Sequence, residues 1–316
     1  MGEFIKKGDL DKFISSLSKK YVIIAPVKKD IVRFKILEKG DKLIFELPLY
    51  SHKDFFFPNK EKLLYFKNNK FEEVKKITKK RIIFLHRCDI AALSRLDKIM
   101  LRDPIDVYYK EKRGKTLIIE VPCKPIPKQC FCDYDNLHFG FDLRIIEFNN
   151  KYYFQTRTKA GEKLINNKIL KSDSIDISKI KDNTKRNNYS SIFRKVIKEK
   201  NEKIWKEAAA KCLSCGACTI VCPTCNCFSL RDKLDINFNY GFRIREWSSC
   251  QLPNFTQVAG GFVFRQDRGL RVKQRVLHKF KYFKEQFDES MCTGCGRCNV
   301  ACPTKIDIHK IVKKIK

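Results

Sequence analysis

Two segments of the 316-residue chain, CLSCGACTIVCP (212–223) and CTGCGRCNVACP (292–303), repeat a single spacing, C-x2-C-x2-C-x3-C-P. At that spacing three thiolates wrap one iron–sulfur cubane, and the fourth, one short helical turn later, points away to a second. Two copies therefore oblige the fold to bring segments far apart in sequence side by side. The pairing follows: Cys212, Cys215, Cys218 and Cys302 on one [4Fe–4S] cluster, Cys292, Cys295, Cys298 and Cys222 on the other. Gly216 and Gly296 let the backbone fold tightly around inorganic sulfide, and Pro223 and Pro303 restrict the chain just after the last ligand. Zinc needs only four ligands per site and gives no reason for the repeated pattern.

Between Cys222 and Cys292 lie 69 residues, and helical patterns precede each motif. Small two-cluster ferredoxins join their motifs by a short β-containing connection, so an all-helical scaffold is expected instead. Ile192, Val196 and Ile197 lead into EKIWKEAAAKC (202–212), and RVKQRVLHKFKYF (271–283) sets Val272, Val276, Phe280 and Phe283 at helical spacing. Upstream, YVIIAPV (21–27), IVRFKIL (31–37), LIFEL (43–47), RIIFLH (81–86), TLIIEV (116–121), RIIEF (144–148) and YYF (152–154) read as strands. Among them DIAALSRLDKIM (89–100) puts Ile90, Leu93, Leu96 and Met100 on one helical face, with Asp89 as candidate N-cap. The polar stretch 166–190 reads as a linker or loosely packed excursion. The expected fold class is α+β: an N-terminal α/β-type domain over 1–185, ending in the linker, then an all-helical ferredoxin-like dicluster domain over 186–316.

The longest apolar runs fall short of the roughly 18 to 20 residues of a membrane helix, and MGEFIKKGDLDKF at the N-terminus has no apolar leader. No membrane partner and a cytoplasmic location are expected. In a reducing cytoplasm 15 cysteines read as metal ligands or redox groups rather than disulfides. The net charge of +31 raises the alternative of an iron–sulfur nucleic-acid-binding protein. However, 49 of the 67 basic residues are lysines scattered along the chain, which suits solvated faces, so no specific nucleic-acid partner is expected. Arg243, Arg245, Arg265, Arg268, Arg271 and Arg275 cluster between the motifs; they read either as a solvated face or as a surface that docks acidic partners and tunes the clusters. The sequence has no G-x-x-x-x-G-K, no G-x-G-x-x-G and no serine–histidine–acid set, so no catalytic residue is assigned. His52, His86, His138, His278 and His309 have no paired ligand spacing and read as structural.

The segments HRCDIAAL (86–93), CFCDYD (130–135), CPTCNCF (222–228), REWSSC (245–250), FTQVAGGFVFR (255–265), RVKQRVLHKFKYF and CTGCGRC together resemble the iron–sulfur electron-transfer subunit of anaerobic sulfite reductase. The beta subunit of cytoplasmic NiFe sulfhydrogenases shares much of the pattern. The resemblance spans roughly residues 80–316. It implies a non-catalytic subunit relaying electrons from an NAD(P)H-oxidising flavoprotein subunit to a partner that holds siroheme, or nickel–iron in the alternative. The short chain and lean N-terminal region favour sulfite as the final acceptor.

Seven cysteines lie outside the pairing. Cys88 and Cys123 follow strands, Cys130 and Cys132 come shortly after, and strand ends of one sheet can converge. These four are expected to hold a third [4Fe–4S] cluster, against the alternative of buried apolar thiols. Cys225, Cys227 and Cys250 lack an obvious fourth ligand and are expected to pack beside the first cluster.

Overall fold

The computed structural model describes residues 2–68, 70–74, 77–124, 127–133, 137, 140–166, 169–180, 190–194, 202–237 and 239–315. The strands are β1 (Gly2–Lys6), β2 (Val22–Lys28), β3 (Val32–Ile36), β4 (Lys60–Lys67), β5 (Lys70–Glu73), β6 (Arg81–Leu85), β7 (Thr116–Glu120), β8 (Leu143–Phe148), β9 (Lys151–Thr156), β10 (Lys171–Asp173), β11 (Phe228–Leu234) and β12 (Tyr240–Trp247). The helices are α1 (Leu10–Ser18), α2 (Arg87–Met100), α3 (Val107–Gly114), α4 (Lys159–Ile165), α5 (Ser190–Arg194), α6 (Glu202–Lys211), α7 (Ala217–Ile220), α8 (Arg268–Leu277), α9 (Phe283–Phe287), α10 (Arg297–Ala301) and α11 (Ile308–Lys314).

Eight strands form one mixed sheet in the order β10-β1-β9-β8-β7-β6-β2-β3. Its centre, β2, β6, β7 and β8, is parallel. Central parallel strands are covered on both faces, so RIIFL in β6 is buried throughout. Alternate side chains serve opposite layers: Ile82, Phe84 and Ile119 pack with Phe13 and Leu17 of α1, and Ile83, Leu85 and Ile118 with Ile90, Leu93 and Leu96 of α2. A second core joins Ile204, Trp205 and Ala208 of α6 to Val272 and Val276 of α8 and to Ile308, Ile311 and Val312 of α11.

Several expectations need correction. The region between the motifs is not all-helical, because β11 and β12 form an antiparallel hairpin from Phe228↔Trp247 to Leu234↔Gly241. The other edge of β12 pairs with β4, and β5 completes a four-stranded sheet drawn from both halves of the sequence. The hairpin was hidden because β11 is largely exposed and Asp232 interrupts the alternation of Phe228, Leu230 and Leu234. Gly241 is required where it stands, since a methyl there would lie 2.3 Å from the Phe66 ring. The run LIFEL forms no strand. Its backbone is taken elsewhere: the Phe45 carbonyl accepts from His86 Nε2 at 2.9 Å, and Ile44 N donates to the Pro26 carbonyl at 3.0 Å. Lys171–Asp173, inside the expected linker, pairs with β1 as an edge strand. The expected boundary near 185, and Val196 and Ile197, lie outside the described residues.

Asp89 is not the N-cap of α2; that position belongs to His86. Asp89 is fully buried in the first turn, and Arg297, inside the second cysteine motif, grips it with two bonds of 2.6 and 2.9 Å. A third guanidinium bond, of 2.7 Å, goes to the Pro48 carbonyl. Burial pushes the Asp89 carboxyl up, but the Arg297 charge, with His52 and His86 alongside, outweighs it and holds the group well below the usual carboxylate range. Its folded pKa is therefore depressed, so the stabilisation is present above the unfolded value near 4 and is lost only as pH falls through the lower folded value. Asp89→Asn and Arg297→Met should each cost about 3–5 kcal/mol in anaerobic chemical denaturation, because each leaves a buried group uncompensated. The Asp89→Asn cost should stay constant from about pH 8 to about pH 5.

Candidate metal centres

Each motif builds the same loop. Cys212 Sγ accepts from Ser214 N and Cys292 Sγ from Gly294 N, both at 3.4 Å. Gly216 and Gly296 then take left-handed backbone (φ 76° and 74°) as N-caps of α7 and α10. The last cysteine of each motif meets a threonine two residues on: Cys222 Sγ lies 3.4 Å from Thr224 Oγ1, and Cys302 Sγ 3.4 Å from Thr304 Oγ1. α7 and α10 pack together and set the motifs face to face.

The consequence is a crossing. One cavity is lined by Cys212, Cys215 and Cys218 with Cys302 of the other motif. A second is lined by Cys292, Cys295 and Cys298 with Cys222 of the first. The N-terminal thiols also gather. Cys88, Cys132 and Cys295 share a buried cluster with Ala91 and Leu137, and Cys130 packs against it. Cys130 and Cys132 Sγ are 3.2 Å apart, and Cys123 stands within electrostatic reach of Cys88 and Cys132. The residue between the C-x-C thiols, Phe131, is buried in the other core, stacked on His309 at 4.9 Å, while its N–H donates to the Gly294 carbonyl at 2.8 Å. Among the described residues no three His, Cys, Asp or Glu side chains gather tightly enough for one metal ion.

Electrostatics supply the fit test for a cluster. Burial pushes the Cys218 and Cys295 thiols up to about 11 and Cys292 up to about 12. As free thiols they stay protonated at neutral pH, yet buried cations face them. Arg275 lines both cavities, is buried, and has Nε and one terminal nitrogen without a hydrogen-bond partner. Burial opposes its charge, and Cys218 and Cys298 outweigh burial. Lys279, also buried, donates to Thr224 Oγ1 at 2.8 Å, beside Cys222 and Cys225. Held on an iron–sulfur cluster these thiols would be deprotonated and would carry negative charge facing the cations. Lys279 sits on a π-helical turn, His278–Tyr282, an element that recurs at functional sites. Its carbonyl, freed from regular helix, accepts from Met291 N at 2.9 Å and Ser290 Oγ at 3.0 Å, anchoring the entry to the second motif.

The arginine segment divides. Arg243 is exposed and pairs with Asp232, Arg245 is buried against Glu61 and Asp106, and Arg268 is exposed but donates to the Cys212 carbonyl at 3.0 Å. Arg271 and Arg275 are interior. His52 and His86 flank Asp89, whereas His138 lies outside the described residues. Sequence reasoning missed Lys53, Asp89, Lys279 and Arg297 as interior charges. Only Arg297, between the cysteines of its motif, carried a positional hint.

The left-handed glycines of the second motif press directly on the N-terminal thiol loop. A methyl at Gly294 (φ 70°) would stand 2.6 Å from Cys132 Cα, and one at Gly296 would stand 2.2 Å from the Gln129 carbonyl oxygen. Gly294→Ala should lower the iron and sulfide bound per chain in anaerobically purified protein. Gly114→Ala, where a methyl meets nothing within 4 Å, should leave both unchanged.

Residues 211–306 match the family described as 4Fe-4S dicluster domain. Over 327 aligned residues, covering 96% of this chain and 95% of the relative, the sequence is 28% identical to sulfhydrogenase 2 subunit beta of Pyrococcus furiosus. No solved structure matches. The chain therefore carries a 4Fe-4S dicluster domain and is homologous over nearly its whole length to a sulfhydrogenase beta subunit.

Proposed function

We propose that this protein is the electron-relaying iron–sulfur subunit of a cytoplasmic anaerobic sulfite reductase complex. Its ligand sets are Cys212, Cys215, Cys218 and Cys302; Cys292, Cys295, Cys298 and Cys222; and Cys88, Cys123, Cys130 and Cys132. The observation that carries the reading is the crossed lining of the two cavities, each with three cysteines of one motif and one of the other. A [4Fe–4S] cluster takes up and releases one electron at a time.

The chain contributes a route and its electrostatics. The N-terminal thiols adjoin Cys295, the cavity of Cys295 shares Arg275 with the cavity of Cys302, and Cys215 on that last cavity is exposed. The three sets thus lie in series from the interior to a rim where an outside partner can approach. Buried Arg275 and Lys279 favour the more negative, reduced state of whatever lies between them. With no dinucleotide fingerprint in the sequence, hydride must be split into single electrons by a flavoprotein partner that oxidises NAD(P)H. No helix among the described residues is long and apolar enough to cross a membrane.

The partner that consumes the electrons holds siroheme in this reading. A second reading, with a nickel–iron partner, is favoured by the near full-length match to a sulfhydrogenase beta subunit. The reconstituted complex should oxidise NADH anaerobically only when sulfite is added, producing sulfide, and this chain alone should reduce only artificial dyes. Hydrogen evolution with no response to sulfite moves the protein to the second reading. Cys222→Ser should alter the spectrum of the cluster on the second motif even though Cys222 belongs to the first; a change confined to the first motif's cluster contradicts the crossing. Cys88→Ser should lose about four iron per chain relative to the unsubstituted protein.

A further inference from the structure

Cys225, Cys227 and Cys250 belong to none of these sets, yet they are not dispersed. The free thiols of Cys225 and Cys222 lie in hydrogen-bonding contact, as do those of Cys227 and Cys250. The hairpin brings the second pair together: Phe228 opposite Trp247 starts the β11–β12 ladder, and Ser248 N donates to the Cys227 carbonyl at 2.9 Å just beyond it. Cys225 and Cys250 are only 9% and 8% exposed, and Gln251 Nε2 lies 3.5 Å from Cys250 Sγ.

A cation from the other half of the chain is aimed at the same place. Lys53, on the short turn His52–Phe55, is 2% exposed. Its ammonium donates to the carbonyls of Cys225 at 3.0 Å and Thr219 at 3.4 Å and lies 3.8 Å from the centre of the Trp247 ring. Burial pushes the Lys53 ammonium below its ordinary value, and the nearby sulfurs of Cys225, Cys222 and Cys227 act against that. Lys279, on the π-helical turn, faces Cys222 and Cys225 as well. Both ammonium groups lie among cysteine sulfurs, and thiolates held on a metal core would give them a fixed counter-charge.

We propose that Cys225, Cys227 and Cys250 ligate a further iron–sulfur cluster, one iron of which has no cysteine of its own. The count of three rests on the reading that keeps Cys222 in the set of the second motif. Such a cluster loses its unsupported iron on mild oxidation, [4Fe–4S]2+ giving [3Fe–4S]+, Fe2+ and one electron, which ferricyanide takes up. Lys53 then serves as a positioning charge for the cluster, holding the Cys225 backbone and opposing the negative core.

The test is iron and sulfide analysis with EPR on anaerobically purified full-length protein and its variants. Cys225→Ser and Cys227→Ser should each lose about four iron per chain, in addition to the loss produced by Cys88→Ser. One equivalent of ferricyanide should generate a [3Fe–4S] EPR signal that is absent from Cys227→Ser and retained in Cys88→Ser. Lys53→Met, which leaves every thiol in place, should lower the midpoint potential of that signal's parent cluster. Unchanged iron in both Cys225→Ser and Cys227→Ser overturns the proposal, as does zinc recovered in place of the missing iron. A ferricyanide signal that survives in Cys227→Ser overturns the three-cysteine assignment. If Cys88→Ser keeps all its iron while Cys227→Ser loses it, the N-terminal set falls and this one stands.

Discussion

Arg297 joins the two halves of the chain at the point where their thiols meet. Its guanidinium is spent entirely on the first half, on Asp89 and the Pro48 carbonyl, while its backbone opens α10 within the second motif. Cys88 precedes Asp89, and Cys295 stands two residues before Arg297, so one ion pair fixes both cysteines against each other. A bidentate pair with no solvent has one good geometry, which makes it a register pin as well as a source of stability. Phe131 provides the reciprocal anchor, inserted from the first half into the second. The loop between the C-x-C thiols is thereby gripped from both sides.

The charge of the protein acquires a different meaning from its interior. Most lysines of a +31 chain are solvated, but Lys53, Lys279 and Arg275 are buried among cysteines, and no acidic group dominates their surroundings. Interior cations without carboxylates are rare because desolvation is expensive. Thiolates held on iron–sulfur clusters would give such an interior its fixed negative charge. The same cations set how readily that interior accepts one more electron.

Much of the sheet was legible from the sequence because its central strands are buried on both faces and read as unbroken apolar runs, as RIIFL does. Spacing sets each motif's last cysteine apart from its first three, and the two cavities are lined in that combination. The hairpin was not, because its outer strand is exposed and its partner β4 lies far upstream; tertiary pairing supplied what local pattern lacked. LIFEL failed in the opposite sense, with strand composition but backbone groups claimed by the His86 side chain and by Pro26 of β2. Asp89 was misread as a cap because a sequence shows a carboxylate near a helix start but not the arginine 208 residues away that claims it.

The π-helical turn at His278–Tyr282 bears on how the helix through it can change over time. One residue rotates a helix by about 100°, so deleting a single position there would regularise the hydrogen bonds while swinging everything upstream around the axis. Arg275 would leave the wall between the two cavities, and the Lys279 carbonyl would cease to receive Met291 and Ser290. A helix more regular by local criteria would then be a poorer one for this protein. The wide turn acts as a phase setting for Arg275 and Lys279.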